Sequence, residues 1–143
     1  MRGFLQVSSR SHYGLRLMTQ IANANGEFIS LHTIARRENL SFGYLEELAG
    51  QLRRHRLIVA ARGARGGYKL AKPSEKISIS DIVAALEGHT KTLACVGNNS
   101  NYRCPMQLRC PSKFVWQKLN DQINKTLSSM TLVDLGGAKL KAK

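Results

Sequence analysis

Ser41-Phe42-Gly43-Tyr44-Leu45-Glu46-Glu47-Leu48-Ala49-Gly50-Gln51-Leu52-Arg53-Arg54 is the stretch whose reading decides the fold. Leu45, Leu48 and Leu52 recur at the spacing of one helical face, and Ser41 stands before them as an N-cap for a helix running to about His55. Just upstream, Ser30 caps a second, shorter helix that turns Leu31, Ile34 and Ala35 inward and carries Arg36, Arg37 and Glu38 on its polar side, ending at Asn39. Two short helices joined by the tight Asn39-Leu40 connection predict a helix-turn-helix. Further upstream, Tyr13, Leu17 and Ile21, widened by Leu15, Met18 and Ala22, predict a first helix over about 11–25, stopped by Gly26.

Downstream, the β-branched apolar run 57–62, the turn Gly63-Ala64-Arg65-Gly66-Gly67 and the alternating Tyr68-Lys69-Leu70 predict a β-hairpin wing. Pro73-Ser74 breaks the chain. Ser80 is expected to cap a helix over 81–87 that buries Ile82, Val83 and Leu86 and ends at Gly88. A loop rich in Gly, Asn and Cys then spans about 88–111. Beyond Pro111, the spacing of Trp116, Leu119, Ile123, Leu127 and Met130 predicts a helix of roughly 18 residues, about 27 Å long. That is long for so small a domain, so part of its apolar stripe is expected to meet another subunit.

The predicted fold is therefore mainly α with a small β-hairpin: a winged helix-turn-helix followed by a long C-terminal dimerisation helix. Residues 1–88 form the DNA-binding domain, 89–111 a cysteine-containing loop, 112–135 the dimerisation helix and a C-terminal turn, and 136–143 a disordered basic tail. With 143 residues, 43% of them hydrophobic, the chain supports one modest core. No apolar run approaches the roughly 20 residues that a membrane-spanning helix needs, and no signal-peptide core opens the chain. A cytoplasmic protein without a membrane partner is expected.

Lys and Arg together number 22 against 9 for Asp and Glu, which points to a polyanionic partner. A charge run alone most often marks a solvated face. Here its position is informative: from Leu48 to Ser74 there is no acidic residue, while Arg53, Arg54, Arg56, Arg62, Arg65, Lys69 and Lys72 cover the end of the recognition helix and the wing. Those are the parts of a winged helix that meet the grooves and backbone of double-stranded DNA. Ser41, Gly43, Tyr44, Glu46 and Glu47 occupy the exposed start of the recognition helix, where they reach base edges and nearby phosphates. A carboxylate there accepts from cytosine and repels phosphate, so it exchanges affinity for discrimination. The plainer reading of both glutamates is as solvent-facing helix formers. Arg53 is a candidate contact at the helix end, and Arg62 and Arg65 are candidates for a narrow minor groove.

Cys95, Cys104 and Cys110 are spaced C-x8-C-x5-C in the polar loop. Buried structural cysteines favour apolar periodic segments, and an odd count cannot all close into intramolecular disulfides, so metal ligation is the leading reading. Structural zinc usually takes close pairs such as C-x2-C, which are absent. An iron–sulfur cluster tolerates wider spacing because its ligands bind different irons. The remaining alternatives are zinc and redox thiols without a cofactor. Three thiolates leave a fourth ligand to find among His89, Ser112, the loop asparagines, His12, His32 and the acidic residues. No nucleophile–base pair, phosphate loop or paired carboxylates stand at recognisable spacing, which argues against an enzyme.

Ser11-His12-Tyr13-Gly14-Leu15-Arg16, the segment Leu40 to Leu48, the wing Arg62 to Tyr68 and the three cysteines before a long helix together resemble bacterial winged-helix regulators of the IscR, NsrR and RirA group. The resemblance spans about 7–135. It implies a homodimer and an iron–sulfur cluster that alters binding to a DNA operator. It also implies that Tyr44 and Glu46 match recognition-helix positions, Arg62 the wing arginine, and the three cysteines the thiolate ligands. The 2Fe-2S type resembles C-x5-C-x5-C followed three residues later by a ligand histidine; here the first gap is eight and Lys113 holds that histidine's place. In the 4Fe-4S type a carboxylate of the opening motif reaches the partner's cluster, and His12 stands there in this chain. His12 in trans is the preferred fourth ligand, its alternative role being a phosphate contact, and 2Fe-2S is ranked ahead of 4Fe-4S.

Overall fold

A computed structural model of the chain describes residues 7–88, 96 and 104–137. Helix α1 (Ser9–Ala22) begins two residues before the predicted start because the Ser8 hydroxyl, 3.1 Å away, accepts from the Ser11 N–H. It also ends earlier than the apolar spacing suggests. Asn23 caps it, and Asn25 (φ +51°) and Gly26 (φ +88°) then reverse the chain.

Helices α2 (Leu31–Glu38) and α3 (Phe42–Arg54) are capped by Ser30 and Ser41, as read from the sequence. Asn39 adopts the left-handed conformation between them, which short polar side chains tolerate. Leu17, Met18, Ile21, Ile34, Leu45, Leu48 and Leu52 are almost fully buried where α1, α2 and α3 meet.

The wing pairs β1 (Ile58–Ala61) with β2 (Gly67–Leu70) antiparallel, Ile58 opposite Leu70 and Ala61 opposite Gly67. Leu57 and Arg62 lie outside β1. Leu57 is buried, and its N–H bonds the Leu52 carbonyl at 3.0 Å, so it belongs to the end of α3. Ile29 adds a third element to this sheet: it exchanges both backbone hydrogen bonds with Tyr68, at 2.9 and 3.0 Å.

After a turn of 3-10 helix (Ser74–Lys76), helix α4 (Ile79–Glu87) corrects the expected cap. Ser78, not Ser80, starts it, through a reciprocal box in which Ser78 Oγ accepts from the Asp81 N–H and Asp81 accepts from the Ser78 N–H. Ser80 lies two residues too close to the Asp81 carboxylate for that exchange. Ile79, Ile82, Ala85 and Leu86 join the core.

Helix α5 (Lys113–Ser129) is the long C-terminal helix expected after Pro111. A sixth helix, α6 (Leu132–Gly137), was not foreseen; it takes in Gly136 and Gly137, which the sequence reading assigned to the tail. The junction between α5 and α6 returns to the head through Ile79 N–H to Met130 O and Leu132 N–H to Ile77 O, both 2.9 Å. Leu132 enters the core and α6 packs on α1. Residues 138–143 lie outside the described residues.

Candidate nucleic-acid interface

The Ser41 hydroxyl that starts α3 accepts from the Tyr44 N–H at 3.3 Å, so its first role is structural. Beyond it Gly43, Glu46 and Glu47 are exposed and Tyr44 is half-buried, while Leu45, Leu48 and Leu52 face inward. The Tyr44 ring stands edge-on to Tyr13 of α1, 6.0 Å between centroids at 85°. Burial raises the Tyr44 phenol above its ordinary value, Arg10 opposes that shift and Glu47 adds to it. The phenol is therefore neutral at physiological pH and keeps an O–H to offer as a donor.

The two carboxylates of α3 differ. Glu47 is paired with Arg10 of α1, both side chains about half exposed. Glu46 has no ion-pair partner among the described residues. Sequence spacing placed both on one exposed stretch, and only the tertiary contact between α1 and α3 separates them.

At the far end of α3, Arg53 is exposed, as are Arg62 and Arg65 at the base and tip of the wing. Gly66 allows the wing to close: its N–H bonds Gly63 O at 3.0 Å, and a Cβ there would lie 2.3 Å from the Ala61 carbonyl oxygen. Two contacts in this region escaped the sequence reading. His32 of α2 stacks on Phe42 at 4.2 Å and 15°, and the Lys69 ammonium lies 4.7 Å from the centre of the Phe28 ring. Neither carries a sequence signal, because each joins residues that only the fold brings together.

His12 is exposed on α1, edge-on to Tyr13 at 4.9 Å. Cys104 and Cys110 are free thiols, both half-buried, in a run of tight turns where Gln107 N–H bonds Cys104 O at 3.0 Å and Arg109 N–H bonds Met106 O at 2.9 Å. Ser112 precedes α5 without capping it; its hydroxyl instead meets Cys110 Sγ at 3.3 Å. That contact, followed by the Lys113 and Ser112 backbone N–H groups, holds the Cys110 thiol below its ordinary value. Cys95 and His89 lie outside the described residues. Among the described residues no three His, Cys, Asp or Glu side chains come together as a metal site.

The family model for Rrf2, described as an iron-dependent transcriptional regulator, matches residues 7–137. The chain belongs to the Rrf2 family. Protein rrf2 of Nitratidesulfovibrio vulgaris is 34% identical over 132 residues, covering 92% of this chain and 87% of that protein. The structure of T. potens IscR superposes with a TM-score of 0.73 at 34% identity, covering 92% of this chain and 86% of that one. CymR, titled the global cysteine regulator of B. subtilis, gives 0.73 at 32% identity, covering 93% and 97%.

Membership in Rrf2 makes the chain a DNA-binding transcriptional regulator rather than an enzyme, and its fold a winged helix-turn-helix. No helix among the described residues is long and apolar enough to cross a membrane.

Proposed function

We propose that this chain is a homodimeric regulator whose binding to a double-stranded operator is controlled by an iron–sulfur cluster held by Cys95, Cys104 and Cys110, with His12 supplied by the second copy. In this reading Ser41, Gly43, Tyr44 and Glu46 meet base edges in the major groove, Arg53 meets phosphate, and Arg62 and Arg65 enter the adjacent minor groove. The observation that carries the regulatory part is Cys110: a free, half-buried thiol, acidified by hydrogen bonds and standing just before α5. Metal ligation requires the thiolate, and donors to the sulfur favour it. A thiolate donor suits iron and zinc alike, and the family description of iron-dependent regulation favours iron.

When bound, the cluster would supply a thiolate-ligated centre sensitive to oxidants, nitric oxide and iron loss. The chain's own residues do the rest. Cys104 and Cys110 bracket a series of turns that leads into α5, so ligation there holds the start of that helix. The second copy covers an apolar surface that this chain leaves open: Leu108 is 99% exposed and Phe114 72%, beside Met106 and Val115. Such a surface is unusual on a monomer and ordinary at a dimer interface.

Anaerobic purification with visible absorption, iron and sulfide assays and light scattering tests the proposal. A coloured dimer containing iron and sulfide, whose colour is lost in Cys104→Ser, is expected. A colourless protein holding zinc alone after reconstitution overturns it, and iron per dimer separates 2Fe-2S from 4Fe-4S. Replacing His12 by Ala tests the fourth ligand through cluster stability.

A second reading, redox thiols without a cofactor, is favoured by the same Cys110 acidity and by similarity to a cysteine regulator. Its mark is cluster-free protein whose DNA binding responds reversibly to peroxide and thiol reductant.

A further inference from the structure

The ion pair between Arg10 and Glu47 joins the first turn of α1 to the exposed start of the recognition helix. Arg10 is held there by its own helix. Ser8, which caps α1, and Ser11, whose hydroxyl donates at 2.7 Å, both bond the carboxylate of Glu87 at the end of α4. Tyr44 sits within the field of Arg10, Glu47 and Glu87, so three helices meet beside the first base-facing positions of α3.

An unpaired carboxylate at the start of a recognition helix accepts from cytosine and repels phosphate. A carboxylate engaged by a guanidinium does both less well. One of its oxygens, Oε1, already accepts from Arg10, the side chain is drawn toward α1, and its charge is offset before phosphate comes near. Glu46 and Glu47 are adjacent and chemically identical; helical geometry points them about 100° apart, and only Glu47 is engaged by an ion pair.

We infer that Arg10 is a specificity-determining positioning residue: by holding Glu47 against α1 it removes one of two neighbouring carboxylates from base readout and leaves discrimination to Glu46. This rests on the DNA-recognition reading above and adds a residue outside the helix-turn-helix to it. Arg10 does not read a base. It decides which residue does.

The test is selection from a randomised double-stranded DNA pool, followed by anisotropy titrations on the enriched sequence and its single-base variants. Wild type, Arg10→Ala, Arg10→Lys, Glu47→Ala and the Arg10→Ala/Glu47→Ala double variant are compared. Arg10→Ala frees Glu47 and is expected to add a preference for cytosine at one base pair, worth about tenfold in relative affinity. Glu47→Ala, which removes the carboxylate and leaves no base-reading group in its place, keeps the motif, the double variant returns it to wild type, and Arg10→Lys keeps it. Because both partners are half exposed, the melting temperature stays close to that of wild type throughout.

If Arg10→Ala instead weakens all sequences equally and flattens the salt dependence by about one unit, Arg10 is a phosphate contact and the inference is overturned. An unchanged Arg10→Ala motif overturns it as well. A wild type that enriches no motif overturns the DNA-recognition reading along with it, which distinguishes the two failures.

Discussion

Gly67 of β2 passes so close to Ile29 that a Cβ at residue 67 would lie 2.3 Å from the Ile29 carbonyl oxygen. The wing is therefore docked on the α1–α2 connection backbone to backbone, with Ile29 and Tyr68 exchanging hydrogen bonds. Gly67 also has φ +137°, a conformation that other residues rarely adopt. Gly67→Ala is expected to cost about 1–3 kcal/mol and, by displacing the wing, to weaken DNA binding about tenfold or more. Gly63→Ala is the control: φ is +103° but the space is open, so strain appears without the clash. Thermal melts and anisotropy on one duplex separate the two effects.

Gly14 and Leu86 form a second close contact, between α1 and α4. A Cβ at residue 14 would fall 2.0 Å from Leu86 Cδ1, and Leu86 is buried, with little freedom to withdraw. Overpacking makes Gly14→Ala lose about 1–3 kcal/mol, and Leu86→Ala alone about 2–5 kcal/mol through the cavity it leaves. In the double variant the new methyl occupies part of that cavity, so denaturant titrations should give a loss smaller than the sum.

The capping box at the start of α4 separates two serines that look equivalent in sequence. Ser78→Ala removes a cap and should cost about 1 kcal/mol. Ser80→Ala, inside the helix, replaces serine with a better helix former and should cost less or nothing. Equal effects in chemical denaturation would contradict the assignment of the cap to Ser78.

Cys110 provides a prediction in pH. Hydrogen bonds from Ser112 and the start of α5 favour its thiolate and lower its titration point, so at neutral pH more of it is reactive than of an ordinary cysteine. Site-resolved alkylation, followed by mass spectrometry, should give a rate that rises at lower pH for Cys110 than for a model thiol. Ser112→Ala removes the largest contribution and should move the Cys110 curve to higher pH. No movement would show that the Ser112 hydroxyl does not reach the sulfur in solution.

The helix-turn-helix and the wing were legible because their signals are local: Ser30 and Ser41 before apolar periodic runs, and glycines at a hairpin turn. The errors lie where distant parts meet. Ile29 joins the sheet by backbone pairing alone, and a single residue carries no strand pattern. Gly136-Gly137 reads as the start of a disordered tail, yet α6 includes both, its first residue drawn into the core at Leu132. For the site, exposure of Glu46 and Glu47 follows from helical spacing, whereas the Arg10 pairing depends on how α1 crosses α3. The cysteine spacing suggested ligand chemistry but carried no sign of the acidity of Cys110, which depends on how Ser112 is turned at the start of α5.

The return of the chain at Met130 and Leu132 has a consequence for the order in which the protein is made. The first described helix, α1, finds one of its packing partners only in α6, the last described helix. Leu132 fills its place in the core only after the cysteine segment and all of α5 have been synthesised. A nascent chain that has emerged through the wing already displays its basic surface but still lacks that closure. Completion of the core thus waits on residues translated after the cysteine segment.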